Sequence, residues 1–360
     1  PSAAVIDRVL AMPADIVGFS PVSLSMTATL AVAAEIKRRR PGVRVVLGGH
    51  LATMCADAIL QEEPVVDMVL RGEAEESLPR LVEALAGRGD LAAVPGLVHR
   101  RDGRIVHAGP GPAMVPLDGV LPPARDGLAY LRERGALTGA RILASRGCQH
   151  DCSYCTTPGF YGRKVRFRPV DHVVREMAEL EDRFGIRHFW FNDDLFVNGT
   201  PRNTQWIETF CGAIVGRGYA FRVLCRADSF KDANRHILGL LKEAGLVHVF
   251  LGLESGSSEA LAVYNKGTTV ARNRAVIALL KGHGIAVQIG FIMFNPYSTM
   301  QEVLDNAEFL HDIGELYRFF PLTLAMSVFP GTPIARRLAD DGLLRLADYR
   351  EPLACFAYRH

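Results

Sequence analysis

Residues 141–163 read RILASRGCQHDCSYCTTPGFYGR. The stretch opens as a short apolar run, Ile142-Leu143-Ala144, and turns polar at Arg146-Gly147. Three of the chain's seven cysteines, Cys148, Cys152 and Cys155, then fall within eight positions. A strand that runs straight into a cysteine loop puts its thiols at the carboxyl end of a sheet, where α/β folds hold ligands. Disulfides need pairs and a closed zinc site wants four ligands. An odd cysteine count with one tight cluster therefore reads as metal chemistry in a reducing, cytoplasmic compartment.

Beyond the loop the alternation continues. Strands are expected in "RILASRG", "HFWFNDDLF", "FRVLCRAD", "HVFLGLES", "VQIGFIMF" and "RFFPLTLAMSVF". Helices are expected in "PVDHVVREMAELEDRFG", "PRNTQWIETFCGAIVGRG", "DANRHILGLLKEAG", "TTVARNRAVIALLKGHG" and "TMQEVLDNAEFLHDIG". Right-handed crossovers curl such repeats into a partial (β/α)6 barrel of the TIM type, with its chemistry at the carboxyl ends of the strands. The strand ends are polar or small: Arg146-Gly147-Cys148, Asn192-Asp193-Asp194, Arg226 with Asp228, Glu254-Ser255, and Asn295.

The N-terminal part alternates as well. "ADIVGFS", "VRVVLGG" and "VDMVLRG" are apolar strands between helical segments, the pattern of a doubly wound, Rossmann-like parallel sheet. "LVHRRDGRIVHAG" reads as a hairpin turning at Asp102-Gly103. Because the unit opens on a helix, its first strand is expected upstream of Pro1 or lost. Residues 109–127 are rich in Pro and Gly and carry no periodicity, so they read as linker. The expected division is 1–108 for the first domain, 109–135 for the linker, 136–335 for the partial barrel and 336–360 for an extension.

Composition narrows the function classes. At 360 residues the chain suffices for two cored domains, and 49% hydrophobic with 22% charged residues is globular. A net charge of +2 gives no bulk pull toward nucleic acid or membranes. The basic run Lys37-Arg38-Arg39-Arg40 reads as the last turn of a helix stopped by Pro41-Gly42. No stretch approaches the ~20 apolar residues of a membrane span, and no signal peptide is read.

Thiolates at short spacings suit an iron–sulfur cluster. Three of them leave one iron of a four-iron cluster without a protein ligand, open to substrate. Zinc completed by His150 is the alternative, but Cys211, Cys225 and Cys355 are scattered, and the first two read as packed core thiols. The CxxxCxxC loop after the first strand of a βα-repeat domain resembles the radical SAM superfamily. Tyr154, the aromatic before the last cysteine, fits that pattern. The resemblance implies a [4Fe–4S] cluster on Cys148, Cys152 and Cys155 that chelates S-adenosylmethionine (SAM). One electron then cleaves the sulfonium, and a 5′-deoxyadenosyl radical abstracts a substrate hydrogen. It also implies an electron donor of the flavodoxin or ferredoxin type.

Other SAM contacts are carried over by position. The resemblance implies Asp193 and Asp194 near the methionine amino group and Arg226 near its carboxylate. It likewise implies Glu254, with Ser255 beside it, at the ribose, and the strand carrying Asn295 along the adenine. The alternative for Glu254 and Arg226 is a salt bridge between neighbouring strand ends. Lys266 reads as a helix-entry element capped by Thr268 or Thr269.

The first domain resembles the cobalamin-binding domain fused ahead of many radical SAM enzymes. It lacks the Asp-x-His-x-x-Gly motif, and His50, in Gly48-Gly49-His50, reads as a loop residue rather than a cobalt ligand. The missing motif is common in this subgroup and decides little; cobalamin is an open cofactor, with the missing first strand counting against it. One branch, the diol dehydratases of apramycin-type aminoglycoside biosynthesis, keeps the domain without using cobalamin and works with a partner reductase. Tyr161 in "GFYGR" resembles an acid/base tyrosine of that branch, where a phenol donates the proton that lets water leave. Its alternative is packing within the loop. The sequence reading thus favours dehydration of a small polar substrate, an amino sugar in antibiotic biosynthesis. Cobalamin-dependent C-methylation is the alternative, and a metal-stabilised binding protein is the non-enzyme reading.

Overall fold

The computed structural model describes residues 3–112, 114–316, 319–344 and 350. The chain divides into two compact units, one of Pro1–Val115, Tyr154–Tyr161 and Ser327–His360, the other of Pro116–Ser153 and Gly162–Met326.

The first unit carries a five-stranded sheet of β1 (Ile16–Phe19), β2 (Arg44–Leu47), β3 (Met68–Leu70), β4 (Leu97–Arg101) and β5 (Arg104–His107), in that order. β1, β2 and β3 pair in parallel, and β4 and β5 close the sheet as an antiparallel hairpin. The hairpin turns at Asp102 and Gly103, both at positive φ (51° and 73°), as a two-residue turn requires. Val45, Leu47 and Val69 bury one face against Met26, Ile59 and Leu60. The helix Ser23–Arg39 ends in the basic run as expected. Arg38 and Arg39 bond Glu35, Lys37 bonds Asp67, and Arg40 donates to the carbonyls of Met12 and Ala14. The run is a helix terminus, not a nucleic-acid patch.

One expectation for this unit changes: His50 lies on a short helix, Gly49–Met54, not in a loop. In the stretch 109–135, expected as linker, Val115 N donates to Glu73 at 2.9 Å, Leu117 is buried, and residues Gly127–Glu133 form a helix.

In the second unit, β6 (Ala140–Ile142), β9 (His188–Phe191), β10 (Ala220–Arg226), β11 (Leu246–Glu254) and β12 (Ala286–Phe291) form one parallel sheet in the order β12-β11-β10-β9-β6. Between β6 and β9 in the chain, β7 (Ser145–Arg146) and β8 (Arg166–Phe167) make a small antiparallel ribbon. The strands are apolar because helices cover them. Phe191, Phe210 and Phe221 meet at centroid distances of 5.5–5.9 Å in the buried core. Thr200, Thr269 and Thr299 cap the helices Pro201–Ile214, Val270–Gly282 and Met300–Asp312, each accepting a backbone N–H through its hydroxyl. Thr269 is thus the cap expected near Lys266.

Among the described residues, the sixth strand expected across 318–329 is reduced to a single parallel bridge, Phe294 to Ala325, and Phe319–Leu322 is a helical turn. Pro321 inside the run has no N–H for a ladder, a reason to distrust an otherwise strand-like apolar stretch. Among the described residues no helix is long and apolar enough to cross a membrane.

Candidate active site at the ends of the parallel strands

Up to Ser153, the cysteine loop is held by backbone and amide contacts within the second unit. Gly147, at φ 92°, turns the chain out of β7, and its N–H donates to Asp194 at 3.2 Å. Gln149 bonds the carbonyl of Asn198 at 2.9 Å. Ser153 donates through its N–H to the carbonyl of Tyr264 and through its hydroxyl to that of Val263, both at 2.8 Å. Asn265 returns a bond to the carbonyl of Asp151. Cys152 is buried, and Cys148 and Cys155 are half-buried.

The decisive contact is at Cys152. Arg226, at the end of β10 and 6% exposed, donates from Nη1 to the Cys152 sulfur at 3.0 Å. Its Nε and Nη2 grip Asp228 at 2.8 and 3.1 Å, and Nη2 also bonds the carbonyl of Lys266. Burial alone would raise the Asp228 carboxyl pKa. The hydrogen bond and charge of Arg226 outweigh it and leave the group below its ordinary value. The guanidinium expected at the methionine carboxylate makes these bonds within the protein. The alternative of a Glu254–Arg226 bridge does not hold, since Glu254 pairs with Lys266 at 2.8 Å.

Sequence reasoning missed that pair. Lys266 is buried and Glu254 half-buried, with side-chain exposures of 3% and 13%. Glu254 sits at φ 69°, where the β11–β12 register slips between Gly252 and Glu254. A non-glycine residue held in the left-handed region costs about 1–3 kcal/mol, and such residues gather at functional sites.

Three expected contacts serve the frame. Asp193 is fully buried. Its carboxylate accepts from the Ser145 hydroxyl at 2.5 Å and from Ala144 N at 3.0 Å, which ties β9 to the start of the cysteine loop. Ser255, also buried, donates to Asn306 at 2.7 Å. Asn295 bonds Glu302, the hydroxyl of Ser298 and the N–H of Tyr297. Asp193, Ser255 and Asn295 thus staple strand ends to their neighbours.

His150, offered as a zinc ligand, is neutral at pH 7. Burial first, then the charge of Arg226, pull its pKa down to about 4. Among the described residues no three His, Cys, Asp or Glu side chains are placed to share one metal ion. Thiolates of a cluster each hold a different iron, so a cluster does not ask for that arrangement. A buried guanidinium hydrogen-bonded to a loop sulfur also suits an anionic sulfur ligand. Burial pushes the thiols of Cys55, Cys211 and Cys225 up to about 12, as for inert packed cysteines. Cys355 lies outside the described residues.

Tyr154 and Tyr161 lie in the segment that belongs to the first unit, and both are half-buried. There Phe160 stacks on His50 at 3.9 Å, and Tyr161 meets His50 edge-on at 5.4 Å. The role of His50 as a partner of the post-cluster segment had no signal in the sequence.

A family model described as the Radical SAM superfamily matches residues 142–310, and one described as the B12 binding domain matches residues 1–82. The chain carries a radical SAM domain paired with a B12-binding domain. Its cofactors are accordingly a [4Fe–4S] cluster, for which Cys148, Cys152 and Cys155 are the fitting ligands, and SAM.

Among curated relatives, this radical SAM protein is 26% identical to an uncharacterized methyltransferase of Pyrococcus horikoshii, over 94% of this chain and 72% of that one. It is 30% identical to the anaerobic magnesium-protoporphyrin IX monomethyl ester cyclase of a Synechocystis species, over 79% and 56%. It is 32% identical to the hopanoid C-3 methylase of Methylococcus capsulatus, over 72% and 49%. The chain thus spans about half the length of the last two. The solved structure of the cobalamin-dependent SAM radical enzyme OxsB, with aqua-cobalamin and SAM bound, superposes with a TM-score of 0.84 at 20% identity, over 98% of this chain and 57% of that one. At that identity the match speaks for the fold.

Proposed function

We propose that this protein is a cobalamin-using radical SAM enzyme that methylates an unactivated carbon of a small molecule. The observation that carries the reading lies in the first unit. Just past the carboxyl ends of β1 and β2, a cavity of about 230 Å³ is lined by Val22, His50, Leu51, Met54, Thr156 and Phe329. Ligands of doubly wound sheets sit outside the carboxyl ends of the strands. A Cβ on Gly49 would meet the Ser20 hydroxyl at 2.4 Å, so the close approach of this helix start to the residue after β1 depends on glycine. The cavity is smaller than the ~300–1,000 Å³ of a site that encloses a drug-sized ligand, so it suits one part of a corrinoid.

Bound cobalamin would carry the methyl group, and the cluster with SAM would supply the hydrogen-abstracting radical. The chain's own residues hold the frame: Arg226, Asp228 and Lys266 fix the cysteine loop, and Asp193, Ser255 and Asn295 fix the strand ends. Relatives named as a methyltransferase and a methylase support methyl transfer over dehydration of an amino sugar, which has no support among them. Tyr161, the residue behind the dehydration reading, is engaged with His50 and Phe160 through ring edges. A low-potential donor of the flavodoxin or ferredoxin type completes the scheme.

The test is the visible spectrum of protein purified with hydroxocobalamin supplied, followed by product mass. We expect near-stoichiometric corrinoid and a product heavier by one methyl group. A corrinoid-free protein whose product has lost water would sink the methylation reading and restore Tyr161 as the proton donor.

A further inference from the structure

We propose that Arg226 is a positioning residue that sets the reduction potential of the cluster through its hydrogen bond to the Cys152 sulfur. The inference rests on the reading that the cysteine loop holds a [4Fe–4S] cluster. It goes beyond that reading by giving the guanidinium a redox role in place of a substrate contact.

The geometry carries it. Arg226 and Cys152 are 6% and 7% exposed, so their 3.0 Å contact lies where water screens little. The guanidinium cannot swing toward another partner without breaking a fixed set of bonds. Asp228 holds one edge through Nε and Nη2, and the carbonyl of Lys266 takes a further Nη2 hydrogen. Lys266 is itself anchored, because its ammonium is bonded to Glu254 at 2.8 Å. At least four of the five N–H groups are thereby assigned, and the Nη1 edge is aimed at sulfur.

The electrostatic consequence has one sign. Reduction adds one electron from a low-potential donor and makes the cluster with its thiolates more negative. No bond to Arg226 forms or breaks. A cationic donor touching a ligand sulfur stabilises the reduced state more than the oxidised one, which makes the potential less negative. Asp228 lies on the far edge of the fork and offsets part of that charge.

The test is an EPR-monitored redox titration of the reconstituted full chain, with dithionite as reductant and no SAM present. Omitting SAM matters: a residue whose role was only to clamp the methionine carboxylate would leave this potential unmoved. Arg226→Gln should give a more negative potential at unchanged iron, sulfide and visible absorption. Arg226→Lys, which keeps the charge but not the fork, should fall between it and the wild type. Asp228→Asn, which keeps the arginine and removes the offsetting charge, should move the potential the opposite way. If Arg226→Gln holds a full cluster at the wild-type potential, the inference is wrong. Should that variant fail to assemble a cluster, Asp228→Asn decides, and an unmoved potential there overturns the inference. A wild-type chain that takes up no iron and sulfide overturns the cluster reading, and the inference with it.

Discussion

Asp193 shows how a single residue at the strand ends is set by its surroundings. Its carboxyl is pushed up from 3.8 to about 6, chiefly by burial, with the bonds from Ser145 and Ala144 pulling the other way. The unfolded chain releases this proton near pH 4, whereas the folded protein keeps it to about pH 6. Between those values the native state binds more protons, so its stability falls as pH rises. Above the window the ionised group costs about 3 kcal/mol relative to an unshifted one. Asp193→Asn keeps the contacts, since its amide oxygen can accept from Ala144 N and its amide nitrogen can donate to Ser145 Oγ. Urea midpoints at pH 4 and pH 6.5 should therefore drop less in the variant than in the wild type. Parallel profiles would mean that Asp193 ionises freely. None of this was legible in "FNDDL". The sequence marks a polar strand end but not which of two adjacent aspartates turns inward.

At the scale of elements, the helix Met300–Asp312 is seated by backbone shape as much as by its apolar face. Asn306 on this helix accepts from both the Ser255 hydroxyl and the Gly256 N–H at 2.7 Å. A Cβ on Gly256 would stand 2.2 Å from Phe309 Cβ and 3.1 Å from the Asp305 carbonyl. Those atoms lie near the helix backbone and cannot yield as a flexible side-chain end would. Gly256→Ala should therefore destabilise the second unit by about 1–3 kcal/mol, read as a lower denaturant midpoint at unchanged slope. A wild-type midpoint would show that the helix shifts freely. The elements themselves were largely legible. The parallel strands leave largely apolar runs such as "FRVLC" and "VFLGL", and the cysteine spacing needs no tertiary information. The sixth strand was misread because "LTLAMSVF" has strand composition, while the preceding Pro321 removes a ladder donor. The Glu254–Lys266 and Arg226–Cys152 pairings were illegible because they join residues 12 and 74 positions apart. Only the packed sheet brings those together.

For the whole molecule, domain order along the chain is not the order of the compact units. The sequence suggests one domain after another, yet the first unit draws on three separate segments, including Ser327–His360. The described part of the last of these adds buried residues to that unit. Ile334 and Leu338, on the helix Pro333–Asp340, are buried, and a Cβ on Gly331 would meet the Met54 sulfur at 2.9 Å. Losing two such side chains from a core costs several kcal/mol, a large fraction of a domain's stability. Truncation after Met326 should therefore weaken the first unit although the cut lies far from its sheet in sequence. The chain supplies its own reporter for this test. Its two tryptophans, Trp190 and Trp206, both lie in the second unit, so their fluorescence follows that unit while far-UV circular dichroism follows both. The truncated protein should show a dichroism transition that begins at lower temperature than the tryptophan transition. Dichroism unchanged from the full chain would mean that the C-terminal helix adds nothing to the stability of the first unit.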